Sequence, residues 1–144
     1  MAEQNHRSLV SPDLARLVSR MIRAREKRAA VFSPNLFSDP AWDIMLTLFL
    51  AQLRQRRMAA SDLSSATAVP LTTTHRWIDT LEQKGWLRRS PDPLDQRRVF
   101  VQLSERGSAA MGVWISDWIE SRQKRVHDAC PQDVPRRSGC QDAS

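Results

Sequence analysis

The chain has 144 residues, with 22 Lys and Arg against 16 Asp and Glu and a net charge of +6. Its length suits one ordinary domain, which hides roughly 68–70% of its unfolded surface, and an apolar share of 41% places it with globular rather than disordered chains. The sequence pI near 10.6 favours a polyanionic partner. No apolar run approaches the ~18 residues of a membrane span, and Met1 to Ser11 lacks the apolar core of a signal peptide. The expected address is the cytoplasm, with no membrane partner.

Residues 1–10 are polar and read as a flexible amino terminus. Ser11-Pro12-Asp13 is a helix start: a capping hydroxyl, Pro in the first turn, and an acid at the positive helix end. Leu14, Leu17, Val18, Met21 and Ile22 recur at three and four, which predicts an apolar stripe on a helix over about 11–30. Arg16, Arg20, Arg23, Arg25, Lys27 and Arg28 crowd the rest of that helix. Phe32 to Asp39 reads as a linker anchored by Phe32, Leu36 and Phe37. Asp39-Pro40 repeats the start signal, and Trp42, Met45, Leu46, Phe49, Leu50 and Leu53 mark a core helix. Its end at Arg54, Arg56 and Arg57 reads as solvated charge.

A shorter helix fits Ser61 to Ala68, stopped by Val69-Pro70. Thr72 to Lys84 follows as a helix capped by threonine, burying Ile78 and Leu81 and closed by Gly85 in the left-handed conformation. After Gly85 the period changes to two. Trp86 to Arg89 and Val99 to Leu103 are strand-like, and the Pro- and Asp-rich stretch from Ser90 to Arg97 suits a turn, so the three together predict a β-hairpin. Ser104 caps a last long helix, about 104–127, carrying Met111, Trp114, Ile115, Trp118 and Ile119. Residues 128–144 read as a disordered tail. It contains Cys130 and Cys140, whose spacing suggests neither a disulfide scaffold nor a zinc site, so we expect no metal and no cofactor.

The order helix, short helix, tight turn, helix and hairpin is that of a winged helix-turn-helix. A helix fits the major groove of DNA, and a hairpin beside it can place an arginine in the minor groove. The expected fold class is therefore α+β, mostly α: a winged helix-turn-helix flanked by amino- and carboxy-terminal dimerisation helices. An enzyme is disfavoured. His6, His75 and His127 lie far apart, the chain has only four glycines and no phosphate loop, and Asp92 and Asp95 suit turn hydrogen bonds better than an acid pair.

The stretch Thr72-Thr73-Thr74-His75-Arg76-Trp77-Ile78-Asp79-Thr80-Leu81-Glu82-Gln83-Lys84-Gly85-Trp86-Leu87 is followed by Asp92-Pro93-Leu94-Asp95-Gln96-Arg97. Val101-Gln102-Leu103-Ser104-Glu105-Arg106-Gly107 then completes the series. The Leu-Glu-x-Lys-Gly segment, the Asp-x-Arg wing and the Leu-Ser-x-x-Gly exit make this region resemble the DNA-binding core of the multiple-antibiotic-resistance regulator (MarR) family. The core covers about 58–107 and the whole resemblance about 11–127. It implies a transcription regulator, nucleoid-associated when bound to DNA, with Thr72, Thr73, His75 and Arg76 facing the major groove. In the wing it implies that Asp95 holds Arg97 at the minor groove, with Arg98 as an additional cation. Arg88 and Arg89 are candidate phosphate contacts or ordinary edge-strand charges. His75 stands where the family usually has a small or hydroxyl residue, so no base preference carries over.

A homodimer is expected through Leu14, Leu17, Val18, Met21, Ile22, Trp114, Ile115, Trp118 and Ile119; packing within one subunit is the alternative. A two-fold dimer requires a pseudo-palindromic operator in double-stranded DNA. The resemblance also allows a small-molecule effector, which no residue identifies. Two rivals remain: a winged-helix protein-protein interaction module without direct DNA binding, and a single-strand binder. The first would show exposed apolar residues in place of Arg76, Arg88, Arg89, Arg97 and Arg98. The second would need aromatics on an exposed sheet, whereas Trp86 and Phe100 read as core.

Overall fold

The computed structural model describes residues 12–33, 36 and 38–128. The amino terminus with Ser11, the linker residues Pro34, Asn35 and Phe37, and the tail with both cysteines lie outside the described residues. The element order is α1 (Pro12–Phe32), α2 (Pro40–Leu53), β1 (Met58–Ala59), α3 (Ala60–Thr67), α4 (Leu71–Gln83), β2 (Leu87–Pro91), β3 (Val99–Leu103) and α5 (Glu105–Asp128). The chain divides into two compact units, Met1–Val113 and Trp114–Ser144, and α5 has residues in both. Among the described residues no helix is long and apolar enough to cross a membrane.

The first unit is built around α2. This helix is apolar on nearly every side, and Ile44, Leu46, Leu48 and Phe49 are all buried, as expected of a helix enclosed by others. It packs against α1, α3, α4 and β3. Asp39 caps it as the sequence predicts, its carboxylate accepting from the Trp42 amide at 3.2 Å. Arg25 of α1 donates to Asp43 of α2 at 2.5 Å, which ties the two helices together beside the apolar contact. Leu63 of α3, Ile78 and Leu81 of α4, and Leu87, Val101 and Leu103 of the sheet complete the core.

Two helix ends determine where the chain goes next. At the end of α2 the Gln55 amide donates to Gln52 O at 3.1 Å and the Arg56 amide to Ala51 O at 2.8 Å. This is a Schellman turn, with Gln55 at φ +54° where glycine is usual. At the end of α4 the Gly85 amide donates to Glu82 O and the Trp86 amide to Leu81 O, each at 2.9 Å. The same turn is made there by Gly85 at φ +80°, as its position predicts.

The α4 start differs from expectation. The helix begins at Leu71 with Pro70 at the cap position and no side-chain cap. Proline fixes the approach angle, and the threonine hydroxyl is used elsewhere: Thr74 is buried and its Oγ1 donates back to Pro70 O at 3.1 Å. The sheet also has one strand more than the hairpin. β1 pairs with β3, giving an antiparallel sheet of order β1-β3-β2, with Met58 opposite Val101 and Leu87 opposite Leu103. Ser104 caps α5, its Oγ accepting from the Gly107 amide at 3.0 Å. Gly107 has no room for a side chain: a Cβ there would sit 2.2 Å from Trp86 O.

Leu14 and Val18, expected at a subunit interface, are instead buried within the single chain, and so is Ile115. Leu17, Met21, Ile22, Trp118 and Ile119 are half-buried, and Trp114 is 44% exposed. In the second unit the Arg122 guanidinium lies over the Trp118 ring, 4.8 Å from its centroid.

A left-handed backbone costs a non-glycine residue about 1–2 kcal/mol, part of which glycine returns through its freer unfolded chain. Gln55→Gly should therefore stabilise the protein by about 0.5–1 kcal/mol, read as a rise in Tm of roughly 2–4 °C in thermal melts. An unchanged or lowered Tm would show that the Gln55 side chain contributes contacts that outweigh the strain.

Candidate nucleic-acid interface

Helix α4 is seated by one stripe. Thr74, Ile78 and Leu81 are buried, and the spacing of four and three leaves Thr72, His75, Arg76 and Asp79 on the exposed side. Thr73 and Trp77 lie half-buried between the two faces. The helical phase inferred from the sequence is the one observed. Thr72, His75 and Arg76 lie in the first two turns, where a helix entering a groove brings side chains closest to base edges.

The wing is a turn organised by two aspartates. The Asp92 amide donates to Arg98 O at 2.9 Å, and the Arg98 amide to Asp95 O at 3.0 Å. Within the turn, the Asp92 carboxylate accepts from the Leu94 amide at 2.9 Å and the Asp95 carboxylate from the Arg97 amide at 3.0 Å. Asp95 therefore holds the Arg97 main chain; no bond joins it to the Arg97 guanidinium. It acts on the wing's shape, and the Arg97 side chain is exposed, with no carboxylate partner among the described residues. Leu94, at the tip, is 96% exposed.

The remaining arginines divide between the two faces of the sheet. Arg89 turns toward α4, where it donates to Asp79 and, at 2.5 Å, to Glu82. Its hydrogen bond to Asp79 and the charge of Glu82 push its pKa above the usual arginine range. A guanidinium held between two carboxylates is poorly placed to serve as a phosphate contact; Arg89 braces the wing against the recognition helix instead. Arg88 points the other way. With its amide oxygen turned to Arg88, Gln102 accepts from Nε at 2.9 Å and Nη2 at 3.1 Å. Arg98 bonds Asp62 at 3.3 Å.

Two further residues stand differently from expectation. Phe100, read as core, is only half-buried, and the guanidiniums of Arg57 and Arg98 each lie 5.5 Å from its ring centroid. Its ring is occupied by cations and is not a free platform for a base. Arg57, read as part of a solvated helix end, sits beyond the Schellman turn and immediately before β1. The signal for it was weak, because a strand of two residues carries no readable alternation. Trp86 is also half-buried. It lies under Arg106, whose guanidinium is 4.0 Å from the ring and donates to Lys84 O at 3.0 Å.

Helices α3 and α4, joined by a tight turn and followed by the β2–β3 hairpin of a three-stranded antiparallel sheet, define a winged helix-turn-helix protein. Comparison with known proteins gives the family. The sequence model of the MarR family matches residues 40–99. The helix-turn-helix transcriptional regulator PecS of Dickeya dadantii is 33% identical over 119 residues, covering 80% of this chain and 67% of PecS. The transcriptional repressor NicR of Pseudomonas putida is 30% identical over 105 residues, covering 72% of this chain and 66% of NicR. The chain thus spans about two thirds of the length of these relatives. A crystal structure of Staphylococcus aureus MepR in complex with DNA has the same fold, with a TM-score of 0.55 at 20% identity, covering 79% of this chain and 89% of MepR. The chain belongs to the MarR family and is a transcription regulator of the helix-turn-helix type.

The Arg89 brace is exposed enough for water to weaken it, and such pairs are worth below about 1 kcal/mol each. A double-mutant cycle of Arg89→Met with Asp79→Asn should give a coupling of about 0.3–1 kcal/mol in thermal melts. A coupling of zero would mean that the wing is fixed by its apolar inner face alone.

Proposed function

We propose that the chain is a sequence-specific regulator that binds double-stranded DNA as a homodimer, on a pseudo-palindromic operator. One observation carries this reading: Thr72, His75 and Arg76 are exposed along one side of α4 while Arg97 stands exposed on the adjoining wing, and neither guanidinium has a carboxylate partner among the described residues. Two reading elements, one helical and one a hairpin tip, match the two grooves of a duplex. The set proposed to face DNA is Thr72, Thr73, His75, Arg76, Arg88, Arg97 and Arg98, with Asp95 and Arg89 as positioning residues. The MepR–DNA complex supports the reading by fold.

Residues of α1 and α5 supply the subunit contact in this proposal, and 58–107 the DNA contact. Leu17, Met21, Ile22, Trp114, Trp118 and Ile119 are the apolar groups still available to a second copy. A small-molecule effector of unidentified class belongs to the same reading, as does a cytoplasmic, nucleoid-bound protein without catalytic activity. A protein-interaction winged helix is disfavoured because the exposed side of α4 beyond Leu71 is polar, with Thr72, His75, Arg76 and Asp79.

Sedimentation equilibrium at micromolar concentration should give twice the 16.5 kDa chain mass. A monomer with intact helical circular dichroism would remove the dimer from the proposal.

The two reading elements are separable on a duplex selected from a random pool and on a scrambled control. Arg76→Ala should cost about 1–3 kcal/mol on the selected duplex and relax selectivity at one position per half-site. Arg97→Ala should weaken both duplexes by similar factors and make the salt dependence shallower by about 0.9 per lost phosphate contact. Salt titrations by fluorescence anisotropy read both effects. If neither substitution changes binding while both variants stay folded, the protein-interaction reading takes the lead.

A further inference from the structure

We propose that the outer face of the wing sheet is a second contact for the DNA phosphate backbone, and that Arg57, which lies on neither the recognition helix nor the wing tip, is part of it. The proposal rests on the duplex-DNA reading and extends its footprint. β3 alternates: Val101 and Leu103 are buried, while Phe100 and Gln102 lie half-buried on the opposite face. Each of these outer side chains holds arginine. Phe100 lies under Arg57 and Arg98, each 5.5 Å from the centroid, and Gln102, with its amide oxygen turned to Arg88, accepts from it at 2.9 and 3.1 Å.

The holders are neutral, and that gives the face its character. An aromatic ring or an amide oxygen fixes a guanidinium without cancelling its charge. On the inner face Arg89 is fixed by two carboxylates and its charge is balanced. On the outer face, among the described residues, three guanidiniums meet one carboxylate, Asp62, which reaches Arg98 at 3.3 Å and also accepts from the Ala59 amide at 2.8 Å. Arg57, Arg88 and Arg98 are all exposed. Planar groups held in place, still charged and open to solvent have little ordering left to lose when a phosphate arrives. The Schellman turn at Gln55 delivers Arg57 to this face: it stops α2 and sends the chain directly into β1, so that a cation beside a helix end becomes a cation on a sheet.

The test compares Arg57→Gln with Arg54→Gln, using the full chain, the selected duplex and its scrambled control. Both substitutions remove one exposed cation per subunit from the same segment, but Arg54 has no holder on β3. Arg57→Gln should weaken both duplexes equally, and raising salt from 50 to 200 mM should shrink its deficit by about threefold per lost contact. Arg54→Gln should change binding much less. Phe100→Leu keeps every charge and should cost roughly two- to fivefold in affinity by releasing the stacked guanidiniums. Thermal melts check folding, and Arg57→Lys serves as a second variant, expected to lie between wild type and Arg57→Gln because an ammonium keeps the charge and loses the planar stack. Wild-type affinity in Arg57→Gln overturns the outer-face contact and leaves the duplex reading intact. Equal losses in Arg54→Gln and Arg57→Gln also overturn it, in favour of diffuse attraction. A wild-type chain that binds no duplex overturns the reading on which the proposal rests.

Discussion

The arrangement of the reading surface depends on one apolar contact, the burial of Thr74, Ile78 and Leu81 against the core built on α2. A helix has one rotation about its axis. Once those three positions point inward, the directions of Thr72, His75 and Arg76 are set by geometry alone. Full burial of Ile78 and Leu81 is worth about 1.5–3 kcal/mol each, more than any surface ion pair in the structure can supply. Turning α4 by one residue would expose both and bury Arg76 or His75 without a partner. Specificity of orientation thus follows from core packing, and the cations are carried along by it.

The same logic runs through the sheet with a period of two. Leu87, Val101 and Leu103 seat the wing, which fixes Arg89 on the inner side with α4 and Arg88 on the outer side with Gln102. The two arginines are adjacent in sequence and have opposite environments. Arg89 meets Asp79 and Glu82 and becomes part of the scaffold; Arg88 lies beside a neutral amide, which leaves its charge unbalanced. Net charge describes the chain as basic without distinguishing these cases. What distinguishes them is whether the group fixing each guanidinium is itself charged.

Much of this was legible in the sequence because it is written in local signals. The helical stripes, the Asp39 cap, the Gly85 turn, the Ser104 cap and the Asp-organised tip of the hairpin are each built by contacts between residues five positions apart or fewer. What was not legible depends on contacts distant in sequence. β1 exists only because β3 pairs with it, and two residues show no alternation. Phe100 reads as core from its composition, and only the register reveals that it lies on the outer face. Arg57 reads as the frayed end of α2 because Gln55 is an improbable residue for a left-handed turn. The threonine cap expected on α4 failed for a different reason: the helix begins at Leu71 with Pro70 at the cap position, which places Thr72 inside the first turn.

The charge on α1 constrains the proposed dimer in turn. Arg16, Arg20, Arg23 and Lys27 are all exposed, and their spacing of four, three and four lines them up on the side of the helix opposite Leu14 and Val18. A two-fold axis along that ridge would set like charges against like, with few carboxylates to separate them. Burying it would leave unpaired cations out of water, at a cost no apolar contact of this size offsets. Ile22 lies on the far side of the buried stripe, and the half-buried Leu17 and Met21 are the apolar groups on the flank nearer the ridge. A second copy can use that flank while the cations stay solvated at its rim, where long arginine and lysine stems also cover apolar surface. The basic ridge thus selects which edge of α1 a subunit contact uses and leaves the helix back to solvent.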